Sequence, residues 1–229
     1  MQTIYCRFQS KSRDFNFNLQ FCNDFIKLIF GKLFNFRKSF LTNESSVGII
    51  GAGPAGISAA ANLLAISKIT VFEQASTIGG TWRYSDDAND EYATSMYKNL
   101  KINVPKESMG FPDFPFDKQG DPSFIGHEEV LEYLVKYAEM TKVLPHIKFN
   151  SKVTSITRTG DGKWKVETNQ NDSSLFDFII VANGHYSVPY TPEQFKESPF
   201  QGEIIHSHYY RRPEDFTGKH VTGTIHYIS

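Results

Sequence analysis

Six residues, Gly51-Ala52-Gly53-Pro54-Ala55-Gly56, narrow the architecture of this chain more than any other stretch. Val47-Gly48-Ile49-Ile50 precedes them and reads as a short buried strand. Ile57 to Ser67 is alanine-rich and helical, Ile69-Thr70-Val71-Phe72 is a second strand, and Glu73 stands at its end. A glycine triplet alone says little; strand, G-x-G-x-x-G, helix, strand and acid in that order say much more. Gly51 permits the tight turn, Gly53 lets a diphosphate approach the backbone, and Gly56 lets the helix pack on the strand. The helix N-terminus then offers N–H groups and partial positive charge to the phosphates. Glu73 suits both hydroxyls of a ribose and repels a 2′-phosphate. The unit therefore predicts an α/β, Rossmann-like fold, a parallel sheet with helices, holding FAD or NAD in preference to NADP.

Composition closes off other classes. The formal net charge is −1 at pH 7, with Lys plus Arg 24 against Asp plus Glu 25, which argues against binding nucleic acid through bulk charge. The two cysteines, Cys6 and Cys22, allow neither a disulfide framework nor a thiolate zinc cluster, and the histidines show no metal-binding spacing. Residues 1–46 differ from the rest, with 7 basic residues against 3 acidic and 9 of the 20 phenylalanines. Lys27 and Lys32 interrupt the only sizeable apolar run there, so neither a secretory signal nor a spanning helix is expected. The segment reads as an unstructured extension, with an amphipathic surface helix or an organelle presequence as alternatives. A cytosolic or membrane-associated location follows as the expectation.

Beyond Glu73 the chain continues Gln74-Ala75-Ser76-Thr77-Ile78-Gly79-Gly80-Thr81-Trp82. An acid, a short spacer and GG-x-W resemble the FAD domain of flavoprotein monooxygenases. Disulfide reductases share the paired glycines but need a cysteine pair, and no cysteine occurs after residue 22. Met96 to Phe116, with Tyr97, Leu100, Asn103, Lys106-Glu107 and Phe111-Pro112-Asp113-Phe114-Pro115, is similar to a segment of flavin-containing monooxygenases. Asp177 to Tyr186 resembles their A-T-G sequence, with Asn183 at the usual threonine. Phe200-x-Gly202-x-x-x-His206-x-x-x-Tyr210 matches the identifying motif of that family. Baeyer–Villiger enzymes place Trp where Tyr210 stands, so this position favours nitrogen and sulfur oxygenation.

The resemblance implies a cycle in which NADPH reduces FAD, O2 adds at the flavin C4a, and a soft amine or sulfide substrate takes one oxygen atom. It assigns FAD contacts to the Gly51–Gly56 turn, Glu73, Gly80, Thr81, Trp82, Asn103 and Val104, and places Ile102 and Asn103 near the nicotinamide nucleotide. Asn103 is the catalytic candidate, because an amide donates and accepts without titrating; a turn residue before Val104-Pro105 is the plainer reading. Lys106 and Glu107 read as a local ion pair, Phe200, Gly202, His206 and Tyr210 as a hinge, and His127 as a first-turn residue of a helix running to Met140.

Ile147–Thr159 and Lys163–Thr168 read as paired strands around Gly160-Asp161-Gly162, the small antiparallel insertion of the FAD domain. The expected organisation is an extension over 1–46, an FAD-binding domain over 47–190, and over 191–229 a linker with the truncated start of an NADPH domain. After Val221 the family's second glycine fingerprint is expected and Thr222 to Ser229 stands instead, so the fold reads as incomplete and the chain is not expected to oxidise NADPH by itself. A non-catalytic FAD-binding module, or an NAD-linked dehydrogenase sharing only the Rossmann unit, are the competing functions.

Overall fold

The computed structural model describes residues 8–9, 14–15, 44–87, 89–116, 122–185, 187–196 and 199–223. In chain order the strands are β1 (Phe8–Gln9), β2 (Asp14–Phe15), β3 (Ser46–Ile50), β4 (Lys68–Phe72), β5 (Ile147–Lys148), β6 (Val153–Arg158), β7 (Trp164–Thr168), β8 (Ser173–Phe176) and β9 (Phe178–Val181). The helices are α1 (Pro54–Leu63), α2 (Lys106–Met109), α3 (His127–Met140) and α4 (Glu193–Lys196). Strands β1 and β2 pair antiparallel. The helix and presequence readings of the extension, both cysteines, and the residues after Gly223 lie outside the described residues.

Four parallel strands in the order β5-β4-β3-β9 form the main sheet. Strand β3 lies inside it, with Val47 opposite Ile69 on one side and Phe178 on the other. A strand buried on both faces favours apolar residues in succession over alternation, which is the pattern of Val47 to Ile50, while in β4 part-buried Thr70 interrupts the run of Ile69, Val71 and Phe72. Val47, Ile49 and Val71 share a core with Ile57 and Ala60 of α1 and Leu134, Tyr137 and Ala138 of α3. Ile50, Phe72 and Ile179 pack instead against Val153, Val166 and Phe176 of a three-stranded antiparallel sheet, β6-β7-β8. The Phe72 and Phe176 rings meet edge to face at 5.8 Å. Gly48 makes room for this layer, since a Cβ there would lie 2.9 Å from the Phe176 ring. Helices, parallel sheet and antiparallel sheet thus form three layers, the expected α/β Rossmann-like fold with its antiparallel insertion.

Two element boundaries are corrected. The first helix ends at Leu63 rather than Ser67, because the Ser67 N–H and hydroxyl both donate to the Leu63 carbonyl at 3.0 Å and turn the chain into β4. Ile147–Thr159 is two strands in two sheets. Ile147 and Lys148 pair with β4, and the pairing extends through Asn150 N–H to Ala75 O and Ser151 N–H to Glu73 O. Asn150 then adopts φ 53°, a left-handed conformation that asparagine tolerates, before β6 begins at Val153. The hairpin itself forms as read: β6 and β7 are antiparallel, and Gly162 closes the turn at φ 84°.

Candidate functional site

The carboxyl ends of β3, β4 and β9 converge on the glycine turn, the edge of a parallel sheet where open α/β folds hold ligands. Gly51 lies at φ 100°, and a Cβ there would stand 2.5 Å from the Ala182 carbonyl oxygen at the end of β9. Gly56 is more constrained, because its Cβ would lie 1.9 Å from the Gly51 oxygen. These two glycines are demanded by the chain's own packing. Gly53 is different: its φ is −76°, and the nearest atom to a Cβ would be Gly80 Cα at an ordinary 3.6 Å. Nothing in the protein requires glycine at position 53, so a side chain there would fill space beside the turn that the protein itself does not use. Helix α1 starts on this residue with no side-chain cap, Pro54 in its first turn and no acidic residue near its N-terminus. Its first-turn amides have no carbonyl four residues back. The cradle suits a phosphate.

Glu73 is buried and does more than the sequence suggested. Its Oε2 accepts from Ala52 N–H at 2.7 Å and its Oε1 from Ala75 N–H at 2.8 Å. The carboxylate ties the glycine turn to the chain leaving β4, and its remaining lone pairs stay available to a ribose.

A second turn closes against the first. Gly79 and Gly80 take φ 119° and 56°, and Gly79 N–H donates to Ala52 O at 3.0 Å. Pro54 and Ala55, the other members of the fingerprint, are the first residues of α1. Thr81 is exposed, while Trp82 packs both on the main core and on the cluster of Ile102, Ile125 and Val130. Ile102 is buried and held by its N–H to Ile125 O at 3.0 Å, and Asn103 and Val104 follow it at the surface. The glycine turn, Gly80 to Trp82 and Ile102 to Val104 are therefore joined through Gly53–Gly80 packing and the Trp82 ring. Glu107 accepts from the Ser123 hydroxyl at 3.2 Å, and Lys106 is buried. His127 opens α3 as expected.

The Phe200–Tyr210 segment is locally ordered. The Phe200 ring lies over Gly202, where a Cβ would be 2.4 Å from it. His206 Nδ1 accepts from His208 N–H at 3.0 Å and caps the short turn Ser207–Tyr209. The Tyr210 ring packs on Tyr97 at 5.4 Å and Phe216 at 5.7 Å. Sequence reasoning passed over Arg211, which is 4% exposed, and the part that the Ala182 carbonyl plays in fixing Gly51. No spacing distinguishes Arg211, which only the fold brings to the 95–98 loop, and Ala182 acts through a backbone atom that any residue possesses. Among the described residues no group of three or more His, Cys, Asp or Glu side chains could hold a metal ion, and no helix is long and apolar enough to cross a membrane.

A sequence model of the flavin-binding monooxygenase-like family matches residues 44–224. The chain belongs to this family. Trimethylamine monooxygenase from Pelagibacter sp. (strain HTCC7211) is 36% identical over 199 residues, covering 77% of this chain and 44% of the relative. The structure of S-allyl-L-cysteine S-oxygenase from Allium sativum superposes with TM-score 0.67 at 36% identity, covering 75% of this chain and 44% of that one. A steroid monooxygenase bound to NADP gives TM-score 0.54 at 26% identity, over 65% of this chain and 28% of that one. The chain thus spans less than half the length of these flavin-binding monooxygenase-like relatives. Among them are enzymes named for oxygenating an amine and a sulfur compound.

Proposed function

We propose that this chain carries the FAD-binding part of an FAD- and NADPH-dependent monooxygenase acting on soft amine or sulfide centres. The observation that carries the cofactor assignment is Gly53, a glycine that neither its φ nor its neighbours require. The Gly51–Gly56 turn and the start of α1 would receive the diphosphate, and Glu73 a ribose. Gly80, Thr81 and Trp82 would border the flavin side, with Ile102, Asn103 and Val104 facing flavin and nicotinamide. When bound, FAD supplies the oxygen-activating redox chemistry. The chain's part is to bind and orient it and, through Trp82 and the Ile102 cluster, to back it with apolar surface that holds water away. Asn103 adds a neutral donor and acceptor at the exposed end of that segment. Amine and sulfide substrates are favoured by Tyr210 in the identifying motif and by the names of the relatives at 36% identity.

The test is Gly53→Val. The protein has room for the first carbon of a side chain, so the variant should fold with the wild-type circular dichroism. It should lose the yellow absorbance of bound flavin, with FAD affinity down by about 100-fold or more, since a branched side chain enters the phosphate cradle. A folded Gly53→Val protein that binds FAD as the wild type does would overturn the assignment.

A further inference from the structure

Arg211 is a buried cation that the site as described does not use. Its Nη1 donates to three carbonyls, His208 O at 2.8 Å, Tyr210 O at 3.0 Å and Met96 O at 3.3 Å. Its Nε and Nη2 are shielded from solvent and have no hydrogen-bond partner among the described residues. The side-on edge that makes arginine the preferred partner of a carboxylate is idle here, so the residue acts through one nitrogen. What that nitrogen joins is specific: two carbonyls of the 207–211 turn and one of the 95–98 loop. Three neighbouring contacts join the same two segments. Ser95 Oγ and His208 Nδ1 are 2.9 Å apart, Lys98 N–H donates to Arg211 O at 2.8 Å, and the Tyr97 and Tyr210 rings pack together.

From this clasp the loop runs directly to the cofactor-facing residues. Leu100 N–H closes a turn on Tyr97 O, Leu100 O accepts from His127 N–H, and Ile102 N–H donates to Ile125 O. The stretch from Met96 to Ile102 is therefore tied at one end by Arg211 and at the other by the start of α3, and Asn103 projects from its end. We propose that Arg211, one residue beyond the identifying motif, is a positioning residue that fixes the Met96–Ile102 segment and through it the placement of Asn103 and Val104. The consequence for cofactor rests on the proposed FAD site; the clasp itself does not.

Hydrogen exchange on the whole chain with and without FAD, beside a fluorescence titration of FAD, tests both parts. Arg211→Met keeps the length and removes the donors. It should raise exchange across residues 96–102 by about 10-fold or more while leaving the amides of α1 and β4 unchanged. FAD affinity should fall by about 5-fold or more with it, because ordering the segment is then charged to binding. Arg211→Lys should restore both, since an ammonium offers three donors to the three carbonyls and leaves no idle guanidinium edge. A folded Arg211→Met with unchanged exchange at 96–102, or with exchange raised uniformly, overturns the proposal. So does local exchange that rises while FAD affinity stays at the wild-type value, which would leave Arg211 a structural staple only. If Arg211→Met does not fold, Ser95→Ala decides, with a rise of about 5-fold expected at 96–102 alone and its absence counting against the clasp. Failure of the wild type to bind FAD would strike the cofactor reading, while the exchange pattern would still report the clasp.

Discussion

At the scale of single residues the carboxylate of Glu73, the proposed ribose partner, already holds backbone of the protein itself. Both oxygens already accept backbone N–H groups, from Ala52 and Ala75, in a buried setting. Glu73→Gln replaces one acceptor by an amide NH2 that faces a donor, so one buried N–H loses its partner. The ligand-free chain should lose about 1–3 kcal/mol of stability, read from the denaturant midpoint, before any effect on FAD is measured. An unchanged midpoint would mean that the two backbone bonds contribute nothing and that Glu73 serves ligand alone. Asn103 is the opposite case, exposed and outside the described hydrogen-bond network of the turn. Asn103→Leu should leave folding intact and FAD still bound, and lower the product formed per NADPH oxidised by about 10-fold in the whole protein, the effect of losing one hydrogen bond. An unaltered ratio would make Asn103 a turn residue. The place of Gly51, Gly53, Gly56 and Glu73 at the turn joining β3, α1 and β4 was legible in the sequence, because strand, glycines, helix, strand and acid in that order specify one local geometry. The second duty of Glu73 was not, since Ala52 and Ala75 donate through backbone atoms that any residue possesses.

At the scale of elements, α3 shows how a recognised segment acquires a physical role. The Phe111–Phe116 stretch docks on this helix: Phe116 stacks on Tyr133 at 3.8 Å, and Phe111 lies 4.3 Å from Tyr137. The Tyr133 hydroxyl accepts from Phe111 N–H at 2.6 Å and donates to Phe114 O at 2.5 Å. Burial pushes its phenol up to about 12, so it stays a neutral donor across the physiological range. Tyr133→Phe strands one buried and one part-buried backbone group and should cost about 2–4 kcal/mol. Tyr137→Phe removes one longer bond, 3.3 Å to Asp113, and should cost less than about 1 kcal/mol. Equal losses from the two variants, by chemical denaturation, would show that ring packing and not the hydroxyl seats the segment. The helix was readable from His127 onward, whereas β8 was not: Ser173-Ser174-Leu175-Phe176 carries little strand propensity and is held by pairing with β7 and by the burial of Phe176. The break between β5 and β6 was hidden for a related reason. Alternating residues run through Phe149–Lys152, and only the backbone bonds to Glu73 and Ala75 assign the first part to the other sheet.

At the scale of the whole molecule, the fold holds several titratable groups away from their ordinary pKa values, so stability depends on pH in two stages. The His208 imidazole is desolvated, and Arg211 and His206 add repulsion, so its pKa lies below the ordinary 6.5; burial lowers His185 in the same direction. In the unfolded chain both histidines take up a proton near 6.5, while in the folded chain they do so only at lower pH. The unfolded state therefore binds more protons below about 6.5, and stability falls as the pH drops through that value. The carboxylates act later. Asp177 is held below its ordinary 3.8 by the N–H and hydroxyl of Ser46 and by Lys163, and Asp172 by Thr168 and Lys148. Their contribution is complete above about 4 and is lost as the pH falls through the folded-state values. A melting temperature followed from pH 8 to pH 3 should be level at the top, decline from about 6.5, and fall again below about 4. His208→Asn, which can still bond Ser95, should flatten part of the upper decline and leave the lower one in place. A melting temperature that rises between pH 7 and pH 5 would contradict the sign, and would mean that His208 is protonated in the fold beside Arg211.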